Sequence, residues 1–229
     1  NFDSLTQLRY GNLLHEHLTN ALNNAERDKK QLAIAMLDLD KFKDINDSLG
    51  HGVGDAVLVE CSKRIKACIR KNDIAARLGG DEFIIVFVGT TTPEDIDKIA
   101  QKLSNSLAKP YLIQEKNIFC TASIGLAFYP NDALTIDALL RNADQAMYRA
   151  KTQGRNSVHY FTDNMRTDFM KRMEIIQDLR IAVMQNQFYM VYQPIVNLEN
   201  NQIIKAEALI RWQHPEKGLI SPFDFIPIA

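Results

Sequence analysis

The 229-residue sequence predicts an α+β fold of ferredoxin-like type, a mostly antiparallel central sheet flanked by helices. Three observations carry that reading. Apolar runs and helix-period stretches follow one another as strand–helix–strand–strand–helix–strand, with additions. Two of those strands, "IAARL" and "FIIVFV", are separated only by "GGDE", which reads as a hairpin connection. The composition, 46% hydrophobic and 24% charged, suits a chain that buries a real core.

The elements follow in order. "YGNLLHEHLTNALNNAERDKK" spaces Leu14, Leu18, Leu22 and Ala25 as one face of a helix and then turns charged. "QLAIAMLDLD" reads as a buried strand ending in acid. "GDAVLVECSKRIKACIRK" returns to helical period, with Val57, Cys61, Ile65, Cys68 and Ile69 on one stripe. After the hairpin, Thr92 and Pro93 form the N-cap and first turn of "TPEDIDKIAQKLSNSLA". A strand "IFCTASIGLAFY", a helix "TIDALLRNADQAMYRAKTQ" stopped at Gly154, and a strand "SVHYF" complete a domain over residues 1–161. Residues 162–173 are polar and read as a helical connector. From 174 onward "FYMVYQPIVNL" and "QIIKAEALIRW" flank "ENN", a hairpin that begins a second domain.

A net charge of −1 excludes a general nucleic-acid or membrane-surface binder. Cys61, Cys68 and Cys120, odd in number and without a CxxC pair, suit free thiols in a reducing cytoplasm. No apolar run reaches the roughly 18 residues of a membrane helix. The chain opens on Asn1 and stops at "FIPIA", so it reads as a piece of a longer protein. Any membrane tether of that protein would lie upstream.

The acidic bend asks for an explanation. Gly79 and Gly80 permit a tight turn, and Asp81 and Glu82 are then merely solvated. Asp38, however, ends a strand that the ferredoxin-like order sets beside this hairpin. Three converging carboxylates repel one another, and divalent metal removes that cost. Hard oxygen ligands of this kind suit Mg²⁺ held against nucleotide phosphates. Lys43 in the next loop, and Lys151 and Arg155 at the end of a late helix, are candidates to meet phosphate charge. "GHGVGD" lacks the spacing and lysine of a P-loop. Asn46 and Asp55, flanking those glycines, read singly as a turn residue and a helix cap. As a pair they offer the amide and carboxylate that suit a guanine edge.

Together these stretches resemble the GGDEF family of diguanylate cyclases, through "DSLTQL", "DLDKFKDINDSLGHGVGD", "RLGGDEF", "SIGLA" and "ADQAMYRAKTQGRN". The resemblance implies a palm-type domain that condenses two GTP into cyclic di-GMP and works as a homodimer. It makes Asp38, the Leu39 carbonyl and Asp81 ligands of Mg²⁺, with Glu82 assisting and Mn²⁺ an acceptable substitute. Asp81 becomes the base for the 3′-hydroxyl and Lys43 the transition-state stabiliser. Asn46 and Asp55 read guanine, while His51, Lys151 and Arg155 line the nucleotide site. "RKND", otherwise a surface ion pair, becomes an inhibitory product site built on Arg70 and Asp73. After "DSLTQL" the family continues x-N-R, whereas Tyr10 and Gly11 stand here, a departure that bears on regulation.

Residues from 174 resemble the start of an EAL domain, the family that hydrolyses cyclic di-GMP, through "YQPIV", "EALIRW", "HP" with Gly218, and "FIPIA". Glu207 corresponds to a metal ligand and Arg211 to a substrate contact. The family's other ligands lie beyond Ala229, so this reads as an incomplete EAL barrel without phosphodiesterase activity. The expected function is diguanylate cyclase. The alternative is a binding module for GTP or cyclic di-GMP that regulates an attached phosphodiesterase.

Overall fold

The computed structural model describes residues 2–10, 12–89 and 92–228, with backbone alone described at 12, 13 and 163–173. Gly11 and Ala229 lie outside the described residues. The chain divides into two compact units, Asn1–Arg166 and Thr167–Ala229.

In the first unit the elements are α1 (Asn12–Arg27), β1 (Leu32–Leu39), α2 (Phe42–Leu49), α3 (His51–Cys68), β2 (Ile74–Gly79) and β3 (Glu82–Phe87). They continue with α4 (Pro93–Leu107), β4 (Tyr111–Ile113), β5 (Lys116–Ile118), β6 (Ala122–Tyr129), α5 (Ile136–Thr152) and β7 (Ser157–Tyr160). Five strands form one sheet in the order β2-β3-β1-β6-β7. β1 pairs antiparallel with both β3 and β6, and β7 adds to β6 in parallel. The four strands β2-β3-β1-β6 are the ferredoxin-like arrangement that the element order implies.

β1 is buried along its whole length. A strand covered on both faces reads as a continuous apolar run, which is why "LAIAMLDL" does not alternate. Its alternate residues nonetheless serve different helices. Ala33, Ala35, Leu37 and Leu39 join a cluster with Val57, Cys61 and Ile65 of α3 and Leu103 of α4. Leu32, Ile34 and Met36 join the opposite cluster, with Leu14 and Leu18 of α1 and Ala143, Ala146 and Met147 of α5. Cys61 lies fully in the core as its spacing implies, and Cys68 is half-buried against it.

Thr92 caps α4 by accepting from the Asp95 N–H at 3.3 Å, as the sequence indicates. Two features differ from expectation. α2 occupies residues read as a loop, because its composition is polar and glycine-flanked. The single strand expected over 118–129 is divided, and β5 pairs instead with β4. Their turn places Gln114 and Glu115 at φ 50° and 63°, without the glycine or asparagine that would announce it.

The second unit contains the rest of α6 (Asp163–Met184), then β8 (Phe188–Val196), β9 (Ile203–His214), β10 (Gly218–Ile220) and the single turn α7 (Pro222–Phe225). The strands form an antiparallel sheet in the order β10-β9-β8, and no closed barrel forms among the described residues. Trp212 is its anchor, packed edge-on to Phe225 with centroids 5.4 Å apart and donating from Nε1 to Gln187 at 2.9 Å. Tyr192, Ile203 and Ile204 remain exposed along the hairpin.

One approach decides how α5 sits. A Cβ on Gly125 of β6 would lie 2.0 Å from the Met147 nitrogen and 2.1 Å from the Ala143 oxygen, so only glycine lets the helix backbone rest on the strand. Gly125→Ala should therefore destabilise the domain by about 1–3 kcal/mol, the usual range for an overpacked core. Urea unfolding of the two proteins checks this, and an unchanged midpoint would contradict the close contact.

Candidate functional site

The β1–β3 register places Asp38 directly opposite Glu82. Parity puts both on the face that α5 covers, two residues beyond Met36 and before Ile84. Asp81 occupies the bend, after Gly80 at φ 51°, a left-handed conformation that glycine adopts without penalty. The Asp81 carbonyl accepts the Leu39 N–H at 3.4 Å, which ties the bend to the end of β1. Arg77 braces it from beneath: Nε and Nη2 donate to the Gly80 carbonyl at 2.9 and 2.7 Å. Nη1 of the same guanidinium meets Asp3 at 3.2 Å, and Asp3 also accepts from the Thr6 N–H and hydroxyl.

Asp38 is buried, and burial pushes its carboxyl above the usual carboxylate range. Lys151 works against that shift, while the charges of Asp81 and Asp40 add to it. The Lys151 ammonium lies 2.7 Å from Asp38 Oδ2. Asp81 is raised as well, again chiefly by burial, with the nearby Lys151 and Arg77 opposing and Glu82 reinforcing. Among the described residues no group of three or more His, Cys, Asp or Glu side chains is gathered closely enough to hold a metal alone. A magnesium site of few protein ligands is compatible with this, since Mg²⁺ keeps several waters and commonly takes one or two carboxylates plus substrate phosphates. Hard oxygens that resist ionising without a cation nearby are a donor set that fits it.

Asp40, which the sequence reading passed over, is the best-satisfied acid in the region. Its buried carboxylate accepts from Thr121 Oγ1 at 2.6 Å, Ser123 Oγ at 2.7 Å and the Asn156 N–H at 3.0 Å. It therefore pins the segment after α5, where Arg155 stands at φ 62°. Beside it a cavity of about 710 Å³ is lined by Lys41, Asp44, Phe119 and Arg155 among others. The DxD spacing of Asp38 and Asp40 was the available signal for this residue.

The other expected residues lie on α2 and α3. Lys43 is exposed in the first turn of α2, in a helix and not in a loop. Asn46 sits inside the same helix, so it is no turn residue, and Asp55 lies within α3, so it is no helix cap. His51 and Asp55 are exposed near the start of α3. "GHGVGD" is mostly helical: Gly50 alone among its glycines has positive φ, at 85°. Gly54 has another purpose, because a Cβ there would come 1.9 Å from Asn46 Oδ1. The Asn46 amide thus rests on bare backbone next to Asp55.

Arg70 and Asp73 stand at the far end of β2 from the bend. Asp73 accepts the Arg70 N–H at 2.8 Å and the Val88 N–H at 3.2 Å. The ion pair between the two side chains, the alternative to a product site at "RKND", is not made among the described residues. Glu207 and Arg211 lie in the second unit on β9, Glu207 exposed and opposite Gln193. Arg211 is half-buried and donates to the Ile210 carbonyl at 2.9 Å.

Sheet order, acidic hairpin and cross-strand acids describe one known class of domain. Residues 1–157 match the family described as diguanylate cyclase, GGDEF domain, and residues 176–229 match the EAL domain. The chain belongs to the GGDEF family, with an EAL segment following. Over 227 residues it is 42% identical to the bifunctional diguanylate cyclase/cyclic di-GMP phosphodiesterase MucR of Pseudomonas aeruginosa, covering 99% of this chain and 33% of that protein. It is 34% identical over 229 residues to the cyclic di-GMP phosphodiesterase PdeR of Escherichia coli, again covering 34% of that protein. The chain thus spans about a third of the length of these curated relatives. A solved GGDEF domain of TpbB from Pseudomonas aeruginosa superposes with TM-score 0.72 at 38% identity, covering 74% of this chain and 99% of that one. The coiled coil and GGDEF domain of DgcB from Caulobacter crescentus, solved with cyclic di-GMP, gives 0.64 at 27% identity, covering 69% of this chain and 84% of that one. No helix among the described residues is long and apolar enough to cross a membrane.

Two outcomes are expected. With its folded pKa raised, Asp38 supports the folded protein only below the ordinary carboxylate range, and that support is lost as pH rises through the raised value. Asp38→Asn should therefore melt higher than wild type at pH 7 without divalent cation, and lose that advantage near pH 4. Added Mg²⁺ should raise the melting temperature of wild type alone. Thermal melts under the four conditions check this.

Gly54→Ala should turn the Asn46 amide away and press on the buried Phe42 ring, which would lie 3.2 Å from the new Cβ. Where Asn46 reads guanine, calorimetry on the folded variant should show a smaller preference for GTP over ATP, with circular dichroism to verify folding.

Proposed function

We propose that residues 1–161 act as a diguanylate cyclase, condensing two GTP into cyclic di-GMP and releasing pyrophosphate in bacterial second-messenger signalling. Residues 162–173 then serve as connector, and 174–229 as the beginning of an EAL domain. The observation that carries the proposal is the cross-strand pairing of Asp38 with Glu82, beside Asp81 and under Lys151.

Mg²⁺ or Mn²⁺ bound by Asp38, the Leu39 carbonyl and Asp81, with Glu82 assisting, would neutralise the triphosphate and polarise the reacting phosphoryl group. Asp81 accepts the proton of the 3′-hydroxyl. The 3′-oxygen forms its bond to the α-phosphorus of the facing GTP as the bond to pyrophosphate breaks. Among the described residues no side chain caps α2 at Lys41, so the N–H groups at the helix start, apart from that of Asp44, which donates to the Lys41 carbonyl at 3.0 Å, can meet an anion. Lys43, Lys151 and Arg155 meet the charge that develops there. Asn46 and Asp55 select guanine, and His51 closes the same pocket. Each domain holds one GTP, so a homodimer is required. Cyclic di-GMP inhibits by binding at Arg70 and Asp73.

A second reading is a non-catalytic module that binds GTP or cyclic di-GMP and tunes an attached phosphodiesterase. The ion pair that Lys151 makes with Asp38 supports it, since the ammonium already occupies one oxygen of the carboxylate that a metal would use. So does the match along the full chain to a relative named as a phosphodiesterase. Incubation with GTP and Mg²⁺, followed by chromatography, separates the two readings. The cyclase reading expects cyclic di-GMP, a specific activity that climbs with protein concentration, and its loss in Asp81→Ala. Nucleotide binding without any product would establish the module instead.

A further inference from the structure

A second cavity, of about 370 Å³, holds Arg9, Lys66, Arg70 and Lys71 against a single carboxylate, Asp73. Several of its polar groups are already engaged. Both Asp73 oxygens accept backbone N–H groups, and Lys66 donates to the Gln7 carbonyl at 3.0 Å. Arg9 is different. Its Nη1 is buried and has no hydrogen-bond partner among the described residues. A guanidinium nitrogen withdrawn from water without an acceptor is costly, and an anionic oxygen is the partner that relieves it best.

The backbone fixes where this donor stands. Arg9 forms bridges with Phe2 and with Ala76, and its carbonyl accepts the Arg77 N–H at 3.1 Å. The residue is therefore held beside β2, one strand position from Ala75 on the cavity wall. A donor anchored this way loses little freedom on binding.

We infer that Arg9 is a further ligand residue of this cavity, donating to a phosphate oxygen of a cyclic dinucleotide whose other contacts include Arg70. The inference rests on the reading of Arg70 and Asp73 as a product site. It assigns a binding role to a residue of the N-terminal turn, at the stretch where the sequence departs from the usual family pattern.

Isothermal calorimetry of the whole chain with cyclic di-GMP tests it, using wild type, Arg9→Ala, Arg9→Lys and Arg70→Ala, with circular dichroism on each to verify folding. Losing a charge-assisted hydrogen bond should weaken binding about tenfold or more in Arg9→Ala. Arg9→Lys, which keeps the charge but not the fork, should fall between Arg9→Ala and wild type. It also serves as the probe should Arg9→Ala fail to fold. Wild-type affinity in the Arg9 variants, with binding weakened in Arg70→Ala, would overturn the role of Arg9. Wild-type affinity in Arg70→Ala would instead overturn the product site on which the inference stands.

Discussion

The acidic site depends on the contact of α5 with β6 at Gly125. With no side chain between them, the helix lies low over the sheet. Its C-terminal turn then reaches the end of β1, where Lys151 meets Asp38. A helix held off by one methyl would carry that ammonium away from the carboxylate and leave Asp38 buried without its counter-charge. Such isolation is far more costly than the pair itself is stabilising. The close backbone contact is thus a condition for placing an acid at this depth.

Around that contact the protein handles its carboxylates in two different ways. Asp40 receives three hydrogen bonds, from Thr121 just before β6, Ser123 in β6 and Asn156 before β7, and acts as a structural tie. Asp38 and Asp81 sit where burial favours their protonated forms. Asp38 and Asp40, two positions apart at the end of β1, are therefore held in different ways. Neutral donors satisfy one, and the other is buried against the Lys151 ammonium.

Much of this was legible in the sequence. The fold followed from the alternation of strands and helices and from the hairpin across "GGDE". The juxtaposition of Asp38 with the hairpin followed from sheet order. What escaped reading depended on contacts between distant segments. Gly125 and Gly54 look like any other glycines until the helix or side chain above each is known. Asp40 shows in the sequence only through its spacing from Asp38, and the partners that define its role, Thr121, Ser123 and Asn156, lie far along the chain. α2 was hidden by its polar composition, and β4–β5 by a turn whose Gln114 and Glu115 give no turn signal. The local rules were sound, but they are silent about what tertiary contact adds.

Arg77 has a consequence for stiffness. A bend built on two glycines has a wide range of motion, and the carboxylate it carries would sweep through a broad volume. The guanidinium clamps the Gly80 carbonyl with two hydrogen bonds and takes its own footing on Asp3. The acidic bend and the first turn of the chain are thereby joined as parts of one lever, with arginine as the rigid arm. Shifting the footing tilts the arm, and the tilt arrives where Asp81 points. The sharpness with which that acid is aimed is a property of the amino-terminal turn as much as of the hairpin.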